Sequence, residues 1–115
     1  MTLAELAALD CAVAKACRYK PEIVSGTCYC TRPSFHTGAP DTWDRFSPTR
    51  DYELTFRLMA ERGVDLEWRF SHSAVTALSP RTRKTEYFKD HNNESVLAAA
   101  VAVCRAIVGE NDGSQ

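Results

Sequence analysis

The apolar positions of this chain repeat at two spacings, and the switches between them divide it into elements. Leu3, Leu6, Leu9, Val13 and Cys17 recur every three to four residues, with alanines between them and Thr2 placed as an N-cap, which predicts an opening helix. Residues 19–31 supply a short strand around Ile23 to Cys30, after which Pro33, Gly38 and Pro40 mark a long irregular segment leading to Trp43. Tyr52, Leu54, Phe56 and Leu58 alternate like a strand, while Tyr52, Phe56, Met59 and Gly63 follow a helical row. Flanking residues favour the helix. Ser47 can accept from the free N–H groups of the next turn, Pro48 suits a first helical position, Asp51 complements the positive end of the helix dipole, and Gly63 stands where a helix ends. Val64, Leu66, Trp68 and Phe70 then alternate with Asp65, Glu67 and Arg69, the pattern of a strand with one buried face, which puts Trp68 in the core. Val75, Ala77 and the Thr85 to Phe88 region read as two more strands of an antiparallel meander around a basic turn at Ser79 to Lys84. From Val96, the residues Leu97, Ala100, Val101, Cys104, Ile107 and Val108 predict a last helix, closed by Gly109.

These elements predict an α+β fold in which an antiparallel sheet of three to four strands packs with three helices, an alpha-beta-alpha sandwich. At 115 residues the chain suits one domain, spanning 1–109, with 110–115 as a frayed tail. Hydrophobic content of 44% with 25% charged residues belongs to globular domains and not to disordered chains. A formal net charge of -1 predicts no bulk attraction to nucleic acid. No stretch is long enough to span a bilayer, and the first segment carries Glu5 and Asp10 where a secretory signal would be basic and then continuously apolar. Cys11, Cys17, Cys28, Cys30 and Cys104 form an odd set without CxxC spacing, read as reduced thiols of a cytoplasmic protein. The spacing of Cys28 and Cys30 is wrong for a zinc knuckle, and in a strand both sulfurs face one side, so no metal is expected.

His36, His72 and His91 lie in no HExxH spacing, and GxSxG, Walker A and GxGxxG patterns are absent, so the sequence nominates no catalytic residue and no cofactor. His36 with Cys28 or Cys30, and the acids Asp41 and Asp44 flanking Trp43, are the nearest approaches to catalytic pairs; solvated or structural roles suit them better. Asp10, at the edge of the first apolar stripe, reads as a carboxylate reaching a backbone N–H or an arginine.

Binding has better material. Phe35, Trp43 and Phe46 are interleaved with Arg32, Arg45 and Arg50, a mixture in which a purine could stack while arginines hold phosphate. The candidate ligand-binding set is Trp43, Arg45, Phe46, Ser47, Arg50 and Asp51, and a secondary basic patch comprises Arg81, Arg83 and Lys84, followed by Lys89. The competing reading has Trp43 and Phe46 stapling the loop to the core with the arginines in solvent.

Leu9-Asp10 followed by Val13-Ala14, the stretch Phe46-Ser47-Pro48-Thr49-Arg50-Asp51, the strand Leu66-Glu67-Trp68 and the closing Ser95 to Ile107 helix resemble, in order and spacing, the phage ABA sandwich domain family of small bacteriophage proteins. The resemblance implies a phage-encoded accessory protein with helices on an antiparallel sheet; the basic turn at Arg81 to Lys84 departs from the pattern. By this analogy, the first expectation is a non-enzymatic binder of a small anionic, nucleotide-like ligand, a sponge for bacterial immune signals. The second is a protein-interaction module, either homo-oligomeric or docked on a host or phage protein.

Overall fold

A computed structural model describes residues 1–32 and 42–112. Phe35, His36 and Asp41, named above, lie outside the described residues. The fold is α+β, and the described residues form three helices and two antiparallel sheets of three strands each.

Helix α1 (Leu3–Ala16) opens with a capping box: the Glu5 N–H donates to Thr2 Oγ1 at 3.1 Å and the Thr2 N–H to Glu5 Oε1 at 2.9 Å. Beyond it come β1 (Lys20–Val24) and β2 (Thr27–Arg32), where the sequence suggested a single strand. The missed turn is Ser25-Gly26, with φ of +51° and +78°, a two-residue connection whose twist matches a hairpin. Strand β3 (Thr42–Arg45) adds to β2 with Arg45 opposite Tyr29, completing the first sheet.

Helix α2 (Tyr52–Arg62) settles the ambiguous segment as helical, and Gly63 closes it at φ +66°. The cap differs from expectation. Asp51, not Ser47, is the N-cap, its carboxylate accepting the Leu54 N–H at 3.2 Å. Ser47 belongs to a preceding turn, where its carbonyl accepts the N–H groups of Arg50 and Asp51 at 2.9 and 2.7 Å. Pro48 therefore sits in the turn and does not start the helix.

Strands β4 (Asp65–Arg69), β5 (Ala74–Leu78) and β6 (Arg83–Tyr87) form the second sheet as the expected meander. Short 3-10 turns at Phe70–His72 and Phe88–His91 close it, the second followed by Asn92 and Asn93 in the left-handed region. Helix α3 (Ser95–Asp112) runs past Gly109, so that glycine is no terminator and residues 110–112 are helical, not a frayed tail. A Cβ at Gly109 would meet Thr82 Cγ2 at 2.9 Å, so its missing side chain lets α3 approach the β5–β6 turn. Glu110 then fastens that turn: one carboxylate oxygen accepts from Ser79 Oγ, the Arg81 N–H and Thr82 Oγ1 at 2.8 to 3.1 Å.

Helix α3 is the centre of the molecule, packed by α1, α2, β5 and β6, while β1 and β2 pack on α1. Its small residues Ala98, Ala99, Ala100, Ala102 and Ala106 let these neighbours come close. One core cluster joins Val13 of α1, Cys28 and Cys30 of β2, Phe46, Leu58 of α2, Ala77 of β5 and Val103, Cys104 and Ile107 of α3. The buried Glu86 and His91 meet the partly exposed Arg105 at the edge of the second sheet. Glu86 contacts His91 Nε2 at 2.8 Å and accepts from Arg105 Nη1 at 2.6 Å, which balances its charge. Among the described residues no helix is long and apolar enough to cross a membrane.

Candidate functional site

The stretch from Phe46 to Asp51 joins α1, β2 and α2 in a knot whose first four residues, Phe46 to Thr49, are buried. Phe46 is fully buried; its N–H donates to the Cys28 carbonyl at 2.9 Å and its ring meets Tyr19 edge-on at 5.8 Å. Thr49 is also buried, and its N–H donates to Asp10 Oδ1 at 2.9 Å. Thr55 Oγ1, one helical turn in, donates to the Pro48 carbonyl. Asp10 thus binds a backbone N–H and faces Arg50 at 4.0 Å, the structural role expected for it. Burial pushes its pKa up to about 6, against the Thr49 hydrogen bond and the Arg50 charge that pull it down.

Above this knot lies a polar cleft of about 340 Å³, lined by Arg32, Asp44, Arg45, Ser47, Arg50 and Asp51. Arg32 is nearly buried beneath it. Its guanidinium donates to the Arg45 carbonyl at 3.2 Å, reaches Asp44 at 3.6 Å and covers the Phe46 ring with its Cζ at 5.7 Å from the ring centroid. Ser47 is 8% exposed, and its hydroxyl is buried with no hydrogen-bond partner.

Four of the six candidate ligand residues, Arg45, Ser47, Arg50 and Asp51, therefore share one cleft. The other two are placed elsewhere. Phe46 is under the cleft floor. Trp43 and Asp44, adjacent on β3, point to opposite faces, and Trp43 stacks on Tyr29 at 5.9 Å on the outer side. No aromatic ring among the described residues lines the cleft.

The secondary basic patch is dispersed. Arg81 is drawn to Glu110 at 4.0 Å, and Arg83 and Lys84, consecutive on β6, point to opposite faces of the sheet. Among the described residues no group of three acids, histidines or cysteines could hold a metal. Cys28 and Cys30 do share one buried face, as the strand period requires, and burial raises both thiols, Cys30 to about 11.

A second feature was not read from the sequence. An apolar groove of about 270 Å³ runs between α2, β4 and α3, lined by Tyr52, Phe56 and Met59, by Leu66 and Trp68, and by Val96, Ala99 and Val103. Trp68, expected in the core, is 40% exposed on its wall, because the small residues of α3 leave the outer half of the β4 face uncovered. Phe70 continues the wall by stacking on Trp68 at 5.4 Å, and Phe56 and Phe70 are 65% and 67% exposed. Period-two alternation marks the apolar side of β4; it does not say whether anything lies over it.

The chain matches no protein-family model and no curated protein sequence.

Proposed function

We propose that this protein acts by contact, as an interaction module whose working surface is the apolar groove of α2, β4 and α3, and that its partner there is a second copy of the chain. The carrying observation is the run of open aromatic side chains, Tyr52, Phe56, Trp68 and Phe70, around one groove. At 150–250 Å² per aromatic side chain, their exposed fractions leave on the order of 400 Å² of apolar surface in water. That is about half of the ~800 Å² each partner contributes to a standard interface.

The rim argues for an identical partner. Arg57 pairs with Glu53 at 3.4 Å on α2 beside the groove, and Glu67 and Arg69, paired at 2.6 Å, lie on the face of β4 opposite Leu66 and Trp68, so the groove calls for no strongly acidic or basic partner. A net charge of -1 adds little repulsion between copies. A twofold interface needs the same patch to carry both a ridge and a hollow, and here the Trp68–Phe70 stack borders the groove. The accessory role implied by the phage-family resemblance is compatible with a protein that works by such contacts.

Sedimentation equilibrium across 1–200 µM tests this reading. A dimer is expected for the native chain and a monomer for Phe56→Glu, a change on an exposed helix face that leaves the core intact. A native chain that stays monomeric throughout, or a dimer indifferent to both Phe56→Glu and Phe70→Glu, would refute it.

A further inference from the structure

We infer that the polar cleft between β2, β3 and the start of α2 binds a phosphate-type oxyanion. This is a second site, independent of the apolar groove. Three arginines, Arg32, Arg45 and Arg50, border the cleft against two aspartates, Asp44 and Asp51. Both aspartates are engaged within the chain. Asp44 accepts the Arg45 N–H at 2.8 Å and faces Arg32, and Asp51 caps α2 through the Leu54 N–H. The Arg50 side chain is partly exposed at the rim, where its guanidinium can turn inward, while Arg45, on the same face of β3 as Trp43, meets Arg32 through its backbone carbonyl.

The observation that points to a ligand is the Ser47 hydroxyl. It belongs to a residue that lines the cleft and is more than nine-tenths buried, and it has no hydrogen-bond partner among the described residues. A buried hydroxyl left unpaired is costly, so native folds seldom keep one without use. Belonging to the lining that Arg32 and Arg50 also form, it can donate to an anion oxygen. Arginine forks match the paired oxygens of a phosphate, and a hydroxyl supplies the neutral donor that such a group takes alongside them.

The α2 N-terminus itself is not the binding element, since the Asp51 carboxylate already occupies it. Among the described residues the cleft offers no surface for a base: Trp43 is on the far face of β3 and Phe46 is beneath the floor. The recognised group is the oxyanion, either inorganic phosphate or the phosphate arm of a larger molecule whose remainder stays in solvent.

Isothermal titration of the full chain with inorganic phosphate, against sodium chloride of equal ionic strength, tests the inference. Adenosine monophosphate in a parallel arm separates the two sources: equal affinity assigns free phosphate, and tighter binding with the same residue dependence assigns a phosphate arm. Saturable phosphate binding is expected, weakened roughly tenfold or more by Ser47→Ala and by Arg50→Gln. Lys89→Gln, a charge loss outside the cleft, is expected to leave it unchanged. Arg45→Gln removes a charge from the outer face of β3 while the Arg45 backbone keeps its contacts to Arg32 and Asp44, and it is expected to leave binding unchanged as well. No binding above the chloride control would overturn the inference. So would binding unaffected by Ser47→Ala and Arg50→Gln, or weakened equally by Lys89→Gln.

Discussion

Asp10 shows how one side chain can organise a fold and still oppose it at neutral pH. Its carboxylate holds the Thr49 N–H and so anchors the Phe46 to Asp51 stretch to α1, yet it is fully buried with a guanidinium no closer than 4.0 Å. The folded chain keeps a proton on this group up to about pH 6, while an ordinary aspartate releases it near 3.8. Between those values the native state binds the extra proton, so stability falls as pH rises through the window and the loss is complete above pH 6. At 1.36 kcal/mol per pH unit, the cost is about 2–3 kcal/mol. Asp10→Asn keeps an oxygen for the Thr49 N–H and removes the charge. Thermal melts from pH 4 to 7.5 should therefore show the native chain losing stability relative to Asp10→Asn as pH rises, with Asp10→Asn at least as stable at pH 7. Because the variant retains every other carboxylate, the difference curve isolates Asp10; a flat difference would show that Arg50 or water already compensates the charge. Asp10→Ala, which drops the hydrogen bond as well, is expected to destabilise at both ends of the range.

At the scale of elements, the helices were legible because their apolar positions recur in register and carry local signals, Thr2 at the start of α1 and Gly63 at the end of α2, although the cap of α2 is Asp51 and not Ser47. What was not legible depended on partners distant in sequence. Ser25-Gly26 is a weak turn signal, so β1 and β2 read as one strand and not as a hairpin. The Asp10–Thr49 bond spans 39 positions, and nothing in either segment announces the other. Four of the six cleft residues followed from the Arg45 to Asp51 segment being continuous; the outward position of Trp43 follows only from its register against Thr31. Gly109 illustrates the same limit, since a glycine late in a helical pattern reads as a stop until the neighbouring turn is known. The close approach of Thr82 yields a prediction. Alanine at position 109 should gain about 1 kcal/mol in helix propensity yet still lower stability in denaturant melts, because its Cβ would displace Thr82 and strain the bonds to Glu110. Thr82→Ser removes the obstructing methyl and keeps the hydroxyl, so Gly109→Ala should be neutral or stabilising in that background. A stabilising Gly109→Ala in the native background would show that the turn yields without cost.

For the molecule as a whole, the question is whether two separate sheets make one cooperative unit. They share no strand pairing, and each alone is a three-stranded ribbon with a face to cover. What joins them is the core cluster, in which Cys28 and Cys30 of the first sheet, Ala77 of the second and Cys104 of α3 belong to one packed set. Removing the first sheet would uncover Val13 and Phe46, and with them the Phe46 to Asp51 stretch that positions α2 on α3. Neither sheet can therefore open without exposing the other's support, and a single transition is expected. The thiols report this directly. Cys28, Cys30 and Cys104 are buried, and burial raises each thiol above its ordinary pKa, so in the folded state they are shielded and poor in thiolate; Cys11 and Cys17 are partly exposed. In pulsed alkylation along a urea series, read by peptide mass spectrometry, Cys28, Cys30 and Cys104 should become reactive with a common midpoint, coincident with loss of helical circular dichroism. Labelling of Cys28 and Cys30 at lower urea than Cys104 would instead mark the first sheet as a separate unit. The arginine cleft would then rest on a part of the molecule able to open while α3 and the apolar groove stay folded, and phosphate at saturating concentration would raise the first midpoint without moving the second.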